Sequence, residues 1–199
     1  MIKAVIFDLG NVTIKFGETP TFKKLASCGT KSFSEVKSYY QNSSVRKAFE
    51  RGEITPKQFY EKYVKDLGLK ISRKEFEKCY CDIFTRNVDV EKIIKSLKGK
   101  VKLVLLSNTN EWQYEFARKK YKIIDLFDEH VLSHEAGCRK PNPLIFLKAI
   151  KKSRTLPFNI AYFDDIPEFV FVARLMGIKA FQYKSYGKLV EDLKKIVSI

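Results

Sequence analysis

Asp8 is the residue of this 199-residue chain best placed to do chemistry, because it ends an apolar run over residues 4–7. A carboxylate that follows a buried strand can attack a phosphorus or carbon centre and form a covalent intermediate. Attack on a phosphate ester brings two anions together, so it also needs a cation nearby. Alone, Asp8 is a weak signal, since an acid at a strand end is often only a turn residue or a helix cap.

Further along the chain lie the charged groups that such a reaction needs. Lys140, within the sequence Arg-Lys-Pro, is a candidate cation. Asp164 and Asp165 end a second apolar run and could hold Mg²⁺ together with Asp8, because Mg²⁺ prefers oxygen ligands. Considered alone, each of these residues has an ordinary role as a surface lysine, a loop acid or a cap.

Ser107 and Asn108 follow a third apolar run, over residues 103–106. Their hydroxyl, amide and backbone donors suit phosphate oxygens at a strand-to-helix junction. The order of these segments and their shared position at strand ends are more specific than any single member. The sequence therefore predicts one site that is assembled from all of them.

Short apolar stretches rich in β-branched and aromatic residues predict five strands, at residues 2–8, 101–107, 130–133, 160–164 and 179–183. Amphipathic stretches predict helices at residues 111–121, 143–152, 167–176 and 187–197. This alternation is typical of an α/β fold with a Rossmann-like parallel sheet. Ligands of such sheets bind at the carboxyl ends of the strands, where Asp8, Ser107 and Asp164 fall.

Residues 16–88 differ from the rest of the chain, since they contain no convincing strand. They carry helical patterns at residues 20–26, 33–41, 43–50, 56–66 and 72–84. Three residues resemble N-caps of these helices, namely Ser34, Thr55 and Ser72. A segment of this length is too long for a strand-to-helix connection. We predict a core of residues 1–15 and 89–199, with an all-helical cap of residues 16–88 over the sheet edge that carries Asp8.

The net charge of +15 comes from 38 basic and 23 acidic side chains. The lysines are spread along amphipathic helices and form no dense block with stacking aromatics, which favours a solvated surface over a nucleic-acid face. Such a basic field draws small anionic substrates towards a cleft. No apolar run reaches the roughly 18 residues of a membrane span, and the first residues lack a signal-peptide pattern. We expect a cytoplasmic monomer or homodimer.

Taken together, the motifs resemble those of the haloacid dehalogenase-like hydrolase superfamily over essentially the whole chain. They are Asp8-Leu9-Gly10-Asn11-Val12, Leu106-Ser107-Asn108, Arg139-Lys140-Pro141 and Phe163-Asp164-Asp165. The inserted segment is similar to the cap that this superfamily carries between its first and second motifs. Within the superfamily, the motifs resemble the branch of bacterial α-glucose-1-phosphate phosphatases.

The resemblance implies that Asp8 is the nucleophile and that Lys140 clamps the developing charge. It implies that phosphate is bound by Ser107, Asn108, Lys140, Gly10 and Asn11. It also implies an Mg²⁺ ion held by Asp8, the Gly10 carbonyl and the Asp164/Asp165 pair, with Asp165 as the favoured direct ligand. The implied reaction is Mg²⁺-dependent hydrolysis of a small phosphorylated metabolite, such as a sugar phosphate, through an aspartyl-phosphate.

Gly10 departs from the usual pattern of these phosphatases, which have an aspartate two residues after the nucleophile. That aspartate protonates the leaving oxygen and then activates water, and losing such help costs about 10²–10⁴-fold in rate, or roughly 3–5 kcal/mol. Either the substrate has a good leaving group, such as an anomeric hydroxyl, or the chain is a weak relative. We favour the first account, because the sugar-phosphate branch itself resembles this chain in having glycine there.

Two other functions are open. A haloacid dehalogenase also uses an aspartate nucleophile, but it attacks carbon and needs neither Mg²⁺ nor an acidic pair. A catalytically weak relative could instead act as a binding protein. Substrate specificity is expected from residues near Asp8, and the candidates are Phe16, Arg46, Phe49, the turn at residues 50–53, Asn110 and Trp112. For Phe16, Phe49 and Trp112, packing is the favoured role.

Overall fold

A computed structural model describes residues 1–196 of the chain. Its strands are β1 (Ala4–Phe7), β2 (Ile14–Phe16), β3 (Phe84–Arg86), β4 (Lys102–Ser107), β5 (Glu129–Leu132), β6 (Ile160–Asp164) and β7 (Lys179–Gln182). Five of them form one parallel sheet, in the order β5-β4-β1-β6-β7. The predicted α/β fold with a Rossmann-like parallel sheet is confirmed.

Helices occupy the long insertion and both faces of the sheet. Between β2 and β3 lie α1 (Thr19–Ser27), α2 (Phe33–Asn42), α3 (Ser44–Glu50), α4 (Pro56–Leu67) and α5 (Arg73–Cys81), which we call the cap helices. After β3 come α6 (Val88–Leu97), α7 (Glu111–Lys120), α8 (Ser133–Ala136), α9 (Pro143–Ser153), α10 (Pro167–Leu175) and α11 (Tyr186–Lys194). Within residues 1–196 no helix has both the length and the apolar character that a bilayer crossing requires.

The central strand β1 is buried on both faces because its side chains alternate between two apolar clusters. Val5 and Phe7 belong to the cluster shared with α6, α7 and α11. Ala4 and Ile6 belong to the cluster shared with α9 and α10. This alternation explains why the strand is apolar at every position rather than at every second one.

The register of the sheet places Asp8 between two other strand ends. Phe7 is aligned with Leu105 of β4 on one side and with Phe163 of β6 on the other. The backbone N–H of Asp8 continues the ladder by donating to the Phe163 carbonyl at 3.0 Å. The residues that follow each of the three strands therefore meet at one edge, as predicted.

The cap helices pack around an aromatic cluster of their own. Phe59 of α4 lies at its centre, with ring centroids 4.4 Å from Phe49 and 4.5 Å from Tyr63. Trp112 of α7 enters the same cluster, 6.0 Å from Phe59. The shared tryptophan packs the cap against the core at the side of the sheet where Asp8 lies.

The prediction that residues 16–88 contain no strand is wrong at both ends. β2 and β3 form an antiparallel pair in which Ile14 faces Arg86 and Phe16 faces Phe84. Each strand has three residues, and each finds its partner only across the whole insertion, so the local pattern gives no sign of it. The limits of the cap at residues 16 and 88 stay a prediction.

Several helix ends also differ from the predictions. The N-cap of α2 is Ser32, which forms a capping box with Glu35, whereas Ser34 lies inside the helix. The helix predicted to reach residue 84 ends at Cys81, and α6 is an additional helix. The last helix ends at Lys194, and position 197 of its predicted range lies outside the described residues.

Candidate active site

Lys140 joins the two acidic strand ends. Its ammonium nitrogen lies 2.5 Å from Asp8 Oδ1 and 2.6 Å from Asp164 Oδ2, and it donates to the Leu106 carbonyl at 3.2 Å. The Lys140 side chain is 1% exposed, so these contacts replace its hydration almost completely. The structure thus brings together the predicted nucleophile, the predicted cation and one member of the predicted metal pair.

Asn108 holds the loop that carries Lys140 in place. Its side-chain amide donates to the Lys140 carbonyl at 2.9 Å, and its side-chain oxygen accepts from the Lys140 backbone N–H at 2.7 Å. This pair of bonds shows that the Asn108 side chain positions Lys140. The role of Asn108 in phosphate binding stays a prediction.

Burial and mutual repulsion shift the protonation of this cluster. Burial raises the pKa of Asp8 to about 7, with the Lys140 charge opposing the shift and the Asp164 charge adding to it. Burial alone would lower the pKa of Lys140, but the charges of Asp164 and Asp8 outweigh it and hold that pKa above its usual value. Lys140 therefore stays charged. The Asp8 carboxyl keeps its proton to a higher pH than usual, because burial and the charge of Asp164 disfavour its ionised form.

Asp164 and Asp165 have different surroundings. Asp164 is fully buried, and its Oδ2 accepts from Lys140 and from the Tyr162 hydroxyl, while its Oδ1 accepts from the Ile166 N–H at 2.9 Å. Asp165 is half-buried, and its side chain accepts from Asn11 Nδ2 at 3.1 Å. Both oxygens of Asp164 are thus engaged by the protein, whereas Asp165 retains the larger capacity for an outside ligand.

Asn11 turns the chain after Asp8. It adopts a positive φ of 59°, which asparagine tolerates better than most residues. Its side-chain oxygen accepts from the Phe16 N–H at 3.4 Å, and its amide donates to Asp165. The predicted phosphate-binding residue Asn11 therefore uses its side chain to position Asp165.

Phe16 occupies the space beside Gly10. A Cβ atom added to Gly10 would lie 2.9 Å from Phe16 Cδ1 and 3.9 Å from Asp8 Oδ2. A side chain at position 10 would therefore need the ring to move. The Phe16 ring therefore borders the space into which a general acid at position 10 would project.

A cavity of about 100 Å³ separates this edge of the sheet from the cap. The core contributes Leu9, Gly10, Ser107, Asn108, Thr109 and Gln113, the β2–β3 region contributes Phe16, Glu18, Ile83 and Phe84, and the cap helices contribute Tyr40, Arg46 and Glu50. Eight of these thirteen side chains are polar, so the cavity suits a polar substrate. Tyr40, Thr109, Gln113 and Glu18 were missed in the sequence, because nothing local marks a residue that faces a cleft only after folding.

The remaining specificity candidates lie elsewhere. Phe49 and Trp112 pack edge to face at 5.6 Å inside the cap cluster, as favoured for them. Asn110 is fully buried and caps α7 by accepting from the Gln113 N–H at 3.1 Å. Arg51 pairs with Glu53 at the surface. Of the predicted set, Phe16, Arg46 and Glu50 line the cavity.

The sequence profile of haloacid dehalogenase-like hydrolases matches residues 2–170. The chain belongs to this family. D-ribitol-5-phosphate phosphatase of Bacteroides thetaiotaomicron is 24% identical over 206 residues, which cover all of both chains. Sesquiterpene phosphatase astK of Aspergillus oryzae is 26% identical over 200 residues, which cover 98% of this chain and 96% of that relative. The prediction of a haloacid dehalogenase-like hydrolase is confirmed.

A solved structure extends the likeness to the fold of this hydrolase. A HAD family enzyme of Bacteroides thetaiotaomicron, in complex with magnesium and inorganic phosphate, matches with a TM-score of 0.83 and 25% identity. The match covers 92% of this chain and 95% of that one. The resemblance to the α-glucose-1-phosphate phosphatase branch stays a prediction.

Proposed function

We propose that this haloacid dehalogenase-like hydrolase is an Mg²⁺-dependent phosphatase that hydrolyses a small phosphate monoester through an aspartyl-phosphate on Asp8. The observation that carries the proposal is the 2.5 Å contact between Lys140 and Asp8 at the end of β1, beside Ser107. Both named relatives are phosphatases, which supports the same reaction class. The cytoplasmic location and the monomeric or homodimeric state stay predictions from the sequence.

Asp8 carries out the first step of this reaction. Lys140 holds its Oδ1, so Oδ2 is the atom that attacks phosphorus. The new oxygen–phosphorus bond forms as the ester bond breaks, and the leaving oxygen departs with the bonding electron pair and takes a proton from water. Water then attacks the phosphorus, which releases inorganic phosphate and restores the carboxylate. Lys140 remains charged and offsets the negative charge that builds up in both steps.

The oxygen atoms around Asp8 fit a magnesium ion. Within residues 1–196, no three His, Cys, Asp or Glu side chains are grouped as a metal site. The proposed set uses two carboxylates, Asp8 and Asp165, with the Gly10 carbonyl, and such all-oxygen sets suit Mg²⁺. Bound there, the ion would offset the combined negative charge of Asp8, Asp164 and Asp165, which the single ammonium of Lys140 does not balance. It would also polarise the phosphate. The magnesium in the related HAD enzyme supports this assignment.

Removal of the metal with EDTA is expected to abolish hydrolysis, and added Mg²⁺ to restore it. Because the pKa of Asp8 is about 7 without metal, protons compete with Mg²⁺ below that pH. The apparent affinity for Mg²⁺ should rise about tenfold per pH unit up to roughly pH 7 and then level off. Calorimetric titration with Mg²⁺ across this range measures the profile, and Asp165→Asn should weaken binding at every pH.

The dehalogenase alternative predicts the opposite behaviour. Its reaction needs no metal, so activity on a haloacid that survives EDTA would overturn the phosphatase proposal. An affinity for Mg²⁺ that does not change between about pH 6 and pH 8 would contradict the competition between protons and Mg²⁺ at Asp8.

Gly10 predicts a steep dependence of the rate on the leaving group. Without an acid at this position, kcat/KM should rise sharply as the pKa of the leaving alcohol falls. Gly10→Asp combined with Phe16→Ala should flatten that slope, since the smaller residue makes room for the new carboxyl group. The measurement is a series of aryl and alkyl phosphates, with Phe16→Ala alone as the control. An equal slope in the double variant and the control would contradict the idea.

A further inference from the structure

Ser133 is a fully buried polar residue that the proposed reaction does not use. It directly follows β5, and the last residues paired between β4 and β5 are Ser107 and Leu132. Ser133 therefore lies beside the loop that leaves β4. Buried hydroxyl groups in folded proteins are nearly always hydrogen-bonded, so the partners of Ser133 show which part of the chain it holds.

The Ser133 hydroxyl binds the backbone of Thr109 in both directions. Its oxygen accepts from the Thr109 N–H at 2.9 Å, and the hydroxyl donates to the Thr109 carbonyl at 2.8 Å. His134 Nδ1 donates to the same carbonyl at 3.3 Å. One side chain thus satisfies both backbone groups of Thr109 and connects the two chain segments beyond the point where the strands stop pairing.

The loop held in this way forms one wall of the active-site cavity. Ser107, Asn108 and Thr109 all line that cavity. Asn108 is fixed by its two side-chain bonds to the Lys140 backbone, and Thr109 is fixed by Ser133. These attachments act on consecutive residues, so two separate parts of the core determine the position of the backbone next to Ser107.

We propose that Ser133 is a positioning residue, which holds the loop of residues 107–109 in the geometry that binds the phosphate group of the substrate. Ser133 acts through the Thr109 backbone and not by contact with the substrate. This inference rests on the proposed phosphatase function and on the predicted phosphate contacts of Ser107 and Asn108.

Loss of the Ser133 hydroxyl removes the partner of a buried N–H group. Thr109 is 3% exposed, and an unpaired buried donor carries a desolvation penalty, so the loop would shift to reach water or another acceptor. A shift of about 1 Å in groups that position a substrate weakens their effect strongly. The proposed metal ligands Asp8 and Asp165 follow β1 and β6, which lie on the far side of β4 from β5. The shift should therefore affect phosphate binding and spare metal binding.

The test measures two affinities by calorimetric titration, that for Mg²⁺ alone and that for inorganic phosphate with saturating Mg²⁺. Ser133→Ala should raise the Kd for phosphate about tenfold and change the Kd for Mg²⁺ by less than about threefold. It should also lower kcat/KM by similar factors for p-nitrophenyl phosphate and for alkyl phosphates, because the change acts on the phosphate end of every ester.

Ser153 provides a matched control in the same core. It is 3% exposed, and its hydroxyl donates to the Ala149 carbonyl at 2.8 Å within α9. Ser153→Ala removes the same group from an equally buried site, so it should retain the wild-type affinities for both phosphate and Mg²⁺. An equal loss of phosphate affinity in the two variants would overturn the inference.

A merely structural role for Ser133 gives a different pattern. The inference is overturned if Ser133→Ala melts at a lower temperature but binds phosphate as tightly as the wild type, or if it loses affinity for phosphate and Mg²⁺ alike. Should Ser133→Ala fail to fold, Ser133→Cys fills the same space with a weaker donor and acceptor and should show the same selective loss of phosphate affinity.

The wild-type protein separates this inference from the phosphatase proposal. If it binds phosphate but hydrolyses no ester with Mg²⁺ present, the phosphatase proposal fails, and the phosphate titration still decides the role of Ser133. If it binds no phosphate with Mg²⁺ present, both the inference and the phosphatase proposal are overturned.

Discussion

Asp8→Asn is expected to lower kcat for every phosphate ester by on the order of 10⁴-fold or more, because the amide cannot form the aspartyl-phosphate. Steady-state assays with saturating Mg²⁺ measure the loss. Rapid mixing with a chromogenic ester should also show no burst of released alcohol. Turnover within about tenfold of the wild type would contradict the covalent mechanism.

Loss of folding does not explain this expected effect. The unfolded Asp8 carboxyl ionises near its ordinary pKa of 3.8, whereas the folded one ionises at about 7. Between these values the unfolded state releases the proton first, so the folded state loses stability as pH rises, and the full penalty remains above pH 7. Asn carries no such penalty, and Lys140 keeps Asp164 as a partner. At pH 8 without metal, Asp8→Asn should therefore melt no lower than the wild type.

Lys140→Met is expected to damage both stability and activity. The substitution leaves Asp8 and Asp164 buried without their cation, and breaking a buried pair in this way costs about 3–5 kcal/mol of unfolding free energy. Urea unfolding at pH 8 in EDTA measures this loss. The rate should fall by about 10²-fold or more, since the charge that stabilises both chemical steps is gone.

A matched control separates the buried lysine from surface ones. Lys152 pairs with Glu129 at the surface, with 47% of its side chain exposed. Lys152→Met should change the unfolding free energy by less than about 1 kcal/mol and leave the rate unchanged. Equal destabilisation by the two substitutions would show that Lys140 does not neutralise buried acids. Acidification should also narrow the stability gap of Lys140→Met, because protonated carboxyl groups no longer need the cation.

Local patterns were sufficient to place the strands of the sheet. Each of the five predicted strands overlaps an observed one. The central strands β1, β4 and β6 are apolar over nearly their whole length, because they are buried on both faces. Thr55 and Ser72 were also recognised as N-caps, since a cap is formed by residues three apart in sequence. The β2–β3 pair escaped prediction, because each three-residue strand depends on a partner about 70 residues away.

The polar residues at the strand ends could likewise be identified from the sequence. Asp8, Ser107 and Asp164 each follow or end an apolar run, and a parallel sheet must bring such ends to one edge. The location of these residues could be predicted without knowledge of long-range contacts, because strand direction alone determines which end carries the site.

Only the tertiary structure shows which contacts each residue of the site makes. Asp164 holds Lys140 while Asp165 keeps free coordination capacity, and no local pattern distinguishes two adjacent aspartates. Likewise, the Asn108 side chain holds the backbone of Lys140 in place. Such roles depend on which donor approaches each oxygen, and those donors come from distant parts of the chain.

Substrate recognition also belongs to the tertiary structure. Glu50, Arg46 and Arg139 meet only because the cap folds over the core, and their two ion pairs join segments about 90 residues apart in sequence. The sequence by itself determined the sheet and the hydrolase family, and it predicted the attacking acid, because these follow from apolar runs and the residues that end them. The folded cap decided what the cavity can accept, because its walls come from segments that the sequence keeps far apart.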